Sequence, residues 1–332
     1  MAAPDRPSTP GASPRPGNSP VRPGASLIDP QTLMRIKSLQ VRARVAVEGF
    51  IKGLHRSPFH GFSVEFSEYR EYTPGDDPRH LDWRLFARSD RYYVKRYEDE
   101  TNLRCYLVLD TSRSMGYRSG AYSKSDYART AAATIAYFLT LQRDLVGLLE
   151  FEDRITEYIP PRYRPGHLRR LMAALEREPQ GKATNLAEPL EQIAATVRKR
   201  GLIVLISDLL APTDALRSRL GYLRTRGHDV IVLRVLDPAE VRFAFESPAM
   251  FRDVESGREL YVDPETARGE YLRRFGAHAA EIERTCVDLG IEYESITTDR
   301  PLELVLFDLL KARLRRARRP GRRAAPGQGG RR

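Results

Sequence analysis

Apolar residues in this chain recur in short strand-like runs separated by helical stretches. Residues 103–109, rich in apolar and β-forming side chains, predict a strand that stops at Asp110. A helix over 124–141 follows, with Ala131, Ala132, Ala133, Ile135, Phe138 and Leu139 placed to pack closely on a sheet. Leu145–Phe151 and Ile155–Ile159 predict a hairpin around Glu152-Asp153-Arg154. Helices near 166–177 and 186–199 lead to a strand at 202–207, a helix at 213–225 and a strand at 229–236. A helix at 268–288, a strand at 291–296 and a last helix at 301–316 complete the series. Residues 237–262 interrupt it and suggest a small β insertion carrying Pro238, Glu240 and Phe243. Such alternation predicts an α/β fold, a doubly wound, mostly parallel sheet with helices on both faces. Its site loops are expected together at one edge of that sheet.

Upstream, Leu33, Ile36, Leu39, Val41, Val45, Val47 and Phe50 predict one helix or two short ones between Asp29 and about Gly53. Patches in 61–100 (Phe62, Val64 and Phe66, then Arg91–Tyr97) predict strands around the turn Thr73-Pro74-Gly75-Asp76, a small β-rich appendage. The expected organisation is a Pro/Gly-rich disordered tail over 1–27, a helix and β segment over 28–100, the α/β domain over 101–312 and an Arg-rich disordered tail over 313–332.

Composition changes this picture little. With 332 residues and 41% hydrophobic content, the chain can bury a substantial core. The net charge of +11 lies in the tails: residues 311–332 carry ten basic and no acidic side chains, and residues 1–25 add +2. The body is left close to neutral. An arginine tail suits non-specific binding of RNA, DNA or anionic lipid through counterion release, or serves as a solubilising extension. Two cysteines, Cys105 and Cys286, form no framework and read as reduced core residues. No stretch approaches the roughly 18 to 20 apolar residues of a transmembrane helix, and the N-terminus offers no signal-peptide core. The expected location is the cytoplasm.

The candidate chemistry sits at strand ends. Asp110, Ser112 and Ser114 offer three hard oxygen ligands from one loop, where open α/β sheets place their sites. With no His or Cys among them, the set suits Mg²⁺; the plain alternative is a Ser-capped turn. Gly181-Lys182-Ala183-Thr184-Asn185 then places Thr184, with Asn185 as its neighbouring competitor, ahead of a helix. The apolar run 202–206 closes on Ser207 and a second strand-end aspartate, Asp208. The six histidines (55, 60, 80, 167, 228 and 278) lack zinc-binding spacing. No phosphate-binding glycine motif is present, so any ATP hydrolysis belongs to a partner.

In the order Asp110-x-Ser112-x-Ser114, Thr184, Asp208, the chain resembles the metal-ion-dependent adhesion site of von Willebrand factor A domains. That resemblance implies Mg²⁺, with Mn²⁺ or Ca²⁺ as alternatives, held directly by both serines and the threonine. The aspartates would act directly or through water, and a partner carboxylate would complete the shell. It also implies adhesion in place of catalysis, and a metal loop coupled to the C-terminal helix 301–316. A second block, from Gly61 through Thr73-Pro74-Gly75-Asp76-Asp77-Pro78-Arg79-His80-Leu81-Asp82-Trp83 to Glu100, is similar to the signature of the bacterial domain-of-unknown-function 58 family. Together the two resemblances span roughly residues 45–310. They imply a chaperone-like adaptor for a MoxR-type AAA+ ATPase in protein maturation or complex assembly, with an acidic client at the metal.

Two other classes compete with that reading. One is nucleic-acid binding through the arginine tail. The other is a metal-dependent phosphohydrolase with Asp110 as nucleophile, although the loop lacks a D-x-D pair and offers no general base; a serine hydrolase fares no better, because Ser112 has no G-x-S-x-G elbow and no histidine placed by sequence. Trp83 reads as a partner anchor or, more simply, as packing between two domains. Arg79, Asp82, Arg84 and Arg88 read as an anion clamp or as an ion-pair network bracing the Asp76-Asp77 turn.

Overall fold

Five of the strands run parallel because helices return the chain to the same end of the sheet after each. The structure, a computed structural model, describes residues 27–55, 68–71, 93–96, 103–178, 187–252 and 257–317. Helices α1 (Pro30–Met34) and α2 (Leu39–His55) precede β1 (Glu68–Glu71) and β2 (Tyr93–Arg96), which pair antiparallel. Then come β3 (Arg104–Asp110), α3 (Lys124–Leu141), β4 (Leu145–Phe151), β5 (Ile155–Arg162), α4 (His167–Leu175) and α5 (Ala187–Thr196). The chain continues through β6 (Leu202–Ser207), α6 (Thr213–Thr225), β7 (Asp229–Leu236), α7 (Pro238–Arg242), β8 (Ala249–Arg252) and β9 (Glu259–Val262). It closes with α8 (Pro264–Asp288), β10 (Glu292–Thr297) and α9 (Leu302–Ala317).

The main sheet has the order β10-β7-β6-β3-β4-β5, all parallel except the edge strand β5. Strands buried on both faces read as continuous apolar runs; β6 does so up to Ser207, and β7 is interrupted after Asp229 only by the buried Arg234. Alternate β3 residues serve the two layers. Cys105, Leu107 and Leu109 pack with α2, α3, α4 and α9, while Tyr106 and Val108 pack with α5, α6 and α8. Helix α2 is thus part of one layer: its Phe50 meets Phe138 of α3 and Phe307 of α9 edge-on, with ring centroids 5.3 and 4.7 Å apart. The doubly wound fold with helices on both faces is the one the hydrophobic pattern predicts.

Local signals set the element limits. Ser123 and Asp126 form a capping box at the start of α3. Helix α8 begins four residues earlier than its apolar pattern suggests, because Asp263 caps it and Pro264 takes the first turn. The expected β insertion contains a helical turn as well: Asp237 and Glu240 form a second capping box on α7 before the β8–β9 hairpin. Both cysteines are buried thiols, and burial pushes Cys286 up to about 12. Among the described residues, no helix is long and apolar enough to cross a membrane. Trp83, Arg79, Asp82, Arg84, Arg88, the Thr73–Asp76 turn and most of both tails lie outside the described residues.

Candidate metal centre

Chain order reverses direction across the sheet at β3, which has β4 on one side and β6 on the other. The carboxyl ends of β3 and β6 therefore border the crevice in which doubly wound sheets place their ligands. Asp110 ends β3, and Ser207 ends β6 with Asp208 immediately after it. Two of the three expected loops thus meet at the carboxyl end of the sheet, above its centre and not at a lateral strand.

The first loop is tied down before it turns. The Thr111 amide and hydroxyl both donate to the Phe151 carbonyl, at 2.8 and 2.9 Å. Ser112, in an extended conformation, leads into a 3-10 turn over Arg113–Gly116. One oxygen of Asp110 accepts from the Ser112 amide at 2.9 Å, and the other accepts from the Ser207 hydroxyl at 2.6 Å. The hydroxyls of Ser112 and Ser114 lie 3.1 Å apart. All three expected ligands of this loop are buried.

The loop after β6 is held as firmly. Ser207 Oγ accepts from the Leu209 amide at 3.0 Å, and Leu209 is a buried non-glycine residue with φ of 53°. Left-handed backbone is unfavourable for a branched side chain and persists where its surroundings impose it. One oxygen of Asp208 accepts from the Leu210 amide at 3.3 Å. The other accepts from Lys124 Nζ at 2.9 Å, and the same ammonium donates to Glu240 at 2.6 Å. From β7, buried Arg234 donates its Nε to the Asp208 carbonyl at 3.0 Å and lays its guanidinium over the Phe275 ring.

Electrostatics separates the two aspartates. Burial, followed by the facing charge of Asp208, pushes the Asp110 carboxyl up to about 7, against the pull of Ser112 and Ser207. Among the described residues Asp110 meets amide and hydroxyl donors but no cation. Burial disfavours the Lys124 ammonium, yet Asp208 and Glu240 outweigh it and hold its pKa above the usual lysine value. Two hydroxyls and an unneutralised carboxylate are the donors a hard cation prefers. Among the described residues no three His, Cys, Asp or Glu side chains cluster to hold a metal. An ion here therefore depends on the serine oxygens.

The structure brings together four of the five expected residues, Asp110, Ser112, Ser114 and Asp208. Thr184 and its competitor Asn185 lie outside the described residues. Sequence reasoning missed Lys124, Ser207, Asp237 and Glu240. Asp237 was findable, because it closes the apolar run of β7 as Asp208 closes that of β6, and it accepts from the Ser119 amide at 2.9 Å. Lys124 carried no such signal.

The family described as "Protein of unknown function DUF58" matches residues 68–281. An uncharacterized protein of Mycobacterium tuberculosis (strain H37Rv) is 30% identical over 277 residues, 82% of this chain and 86% of its own length. An uncharacterized protein of Mycobacterium avium is 32% identical over 152 residues, 45% of this chain and 88% of that protein. Among solved structures, the conserved hypothetical protein BatB from Bacteroides thetaiotaomicron matches with a TM-score of 0.43 at 16% identity, over 64% of this chain and 99% of that one. The VWA domain of SpRpn10 matches with a TM-score of 0.36 at 11% identity, over 61% of this chain and 94% of that one.

Proposed function

The chain belongs to the DUF58 family, and from that premise we propose that it is a metal-dependent protein-interaction module serving as adaptor to a MoxR-type AAA+ ATPase. The observation that supports this reading is the meeting of Asp110, Ser112 and Ser114 with Asp208 at the carboxyl ends of β3 and β6. Ser112 and Ser114 would hold Mg²⁺, or Mn²⁺ or Ca²⁺, with Asp110 supplying charge and Thr184 a further hydroxyl. When bound, such an ion offers an exchangeable position to a partner's carboxylate. Ser207 orients Asp110, and Lys124 pairs with both Asp208 and Glu240, whereas Asp110 meets no cation among the described residues.

An interaction role fits better than hydrolysis. His167, His228 and His278 each place Nε2 on a backbone carbonyl, of Val146, Val197 and Ala211, and none of the three is hydrogen-bonded to Ser112. Lys124 gives the phosphohydrolase reading a lysine, but its side chain is fully buried and committed to two carboxylates.

A tagged pull-down from the native host in Mg²⁺ and in EDTA, with Asp110→Ala as control, tests the proposal. An AAA+ ATPase or acidic client retained by wild type in Mg²⁺ alone supports it. The same partners in every lane would overturn it, and nucleic acid lost only at high salt would assign function to the arginine tail.

A further inference from the structure

A second, separate cleft of about 340 Å³ opens between β4, β5 and the end of α4, lined by Thr111, Glu150, Glu152, Asp153, Glu157 and Arg177 among others. Five carboxylates, those named and Glu178, line it against two guanidiniums, Arg154 and Arg177. Glu150 is the decisive residue. It is 9% exposed, it lines the cleft, and no hydrogen bond or ion pair from a described residue reaches its carboxylate. The antiparallel register sets Glu157 directly opposite it, and like charges in that position are destabilising.

The two cations whose charge acts on Glu150, Arg129 and Arg177, are already engaged. Arg177 pairs with Glu157 at 2.8 Å, while Arg129 pairs with Asp126 at 2.8 Å and donates to the Arg177 carbonyl at 3.0 Å. A buried carboxylate without a partner is costly, and a cation delivered from outside would remove that cost. Among the described residues no cluster of three metal-binding side chains is present, which favours an organic cation over a metal ion. The volume lies at the small end of ligand pockets and suits the head and stem of one long side chain.

We infer that this cleft is a binding site for a guanidinium or ammonium group, presented by an arginine or lysine side chain and held by Glu150 with Glu157. The inference stands apart from the metal site. Thr111, which follows Asp110, forms part of the cleft wall, so the two sites share one loop. The guanidinium can come from another protein or from this chain's own arginine-rich residues beyond Ala317.

The test uses the full chain labelled at isoleucine methyl groups, because Ile155 lines the cleft. The probe is a short glycine-serine peptide bearing one arginine, compared with the same peptide bearing neutral citrulline. The arginine peptide should move the Ile155 resonance saturably, and the citrulline peptide should not. Glu150→Gln should weaken binding at least tenfold, while the distant Glu283→Gln leaves it unchanged. Binding that emerges only once the chain is ended after Ala317 would identify its own tail as the resident guanidinium. Equal binding of both peptides, an unaltered affinity in Glu150→Gln, or displacement of the peptide by millimolar Mg²⁺ would overturn the assignment.

Discussion

The Lys124 ammonium lies 2.9 Å from the Asp208 carboxylate, and both side chains are buried beneath the candidate metal loops. With Glu240 of α7 at 2.6 Å from the same nitrogen, one cation serves a carboxylate after β6 and another from a helix after β7. Removing one member of such a group strands the others without a counter-charge, which typically costs about 3 to 5 kcal/mol. Lys124→Met should therefore lower the urea-unfolding free energy by about that amount. The double variant with Asp208→Asn should lose less than the sum of the single losses. A loss below about 1 kcal/mol for Lys124→Met would show that the bridges contribute little net stability.

Ser207 makes a different kind of link. Its hydroxyl donates to Asp110 and accepts from the Leu209 amide, so one atom ties the β3 loop to the left-handed turn after β6. Ser207→Ala leaves a buried acceptor and a buried donor unmatched, at about 1 to 3 kcal/mol each. The expected outcome is a destabilisation of about 2 to 4 kcal/mol in equilibrium unfolding. A near-neutral variant would mean that water replaces the hydroxyl.

Much of this arrangement was readable before any coordinates. Asp110 and Asp208 announced themselves because an apolar strand that stops on a carboxylate is a local pattern. The range 124–141 read from the apolar pattern is that of α3, whose start the Ser123–Asp126 capping box fixes locally. Lys124 was not readable. A lysine in the first turn of an alanine-rich helix normally faces solvent, and its partners lie 84 and 116 residues away. Glu150 was hidden too: it falls in the apolar run of β4, and only the register opposite Glu157 exposes the conflict. Local patterns set the elements, while the pairing of buried charges is decided by which loops the topology brings together.

Mg²⁺ should stabilise the folded chain if the hydroxyl-rich loop holds it. A ligand that binds only the native state, at a hundred times its Kd, adds about 2.7 kcal/mol. A calorimetric melt in Mg²⁺ should therefore lie above one in EDTA, and Asp110→Ala should abolish the difference. An identical increment in both proteins would place the ion elsewhere.

The stability of the chain should also fall as pH rises, through Glu150. Burial first, and then the facing Glu157 carboxylate, push its carboxyl from 4.5 up to about 7, with Arg129 and Arg177 pulling the other way. Because the folded-state value is the higher one, the favourable contribution is fully present below the unfolded value near 4.5 and is lost as pH climbs through 7. A shift of this size corresponds to about 3 kcal/mol. Glu152, Asp153 and Glu157 also line the cleft, so the comparison is best made against a variant altered at Glu150 alone. Glu150→Gln should match wild type near pH 5 and exceed it by about 2 to 3 kcal/mol at pH 8, read from urea midpoints without added ligand. If the difference between the two proteins were the same at both pH values, Glu150 would be titrating as an ordinary surface carboxylate. The case for an unmet charge in the cleft would then fall with it.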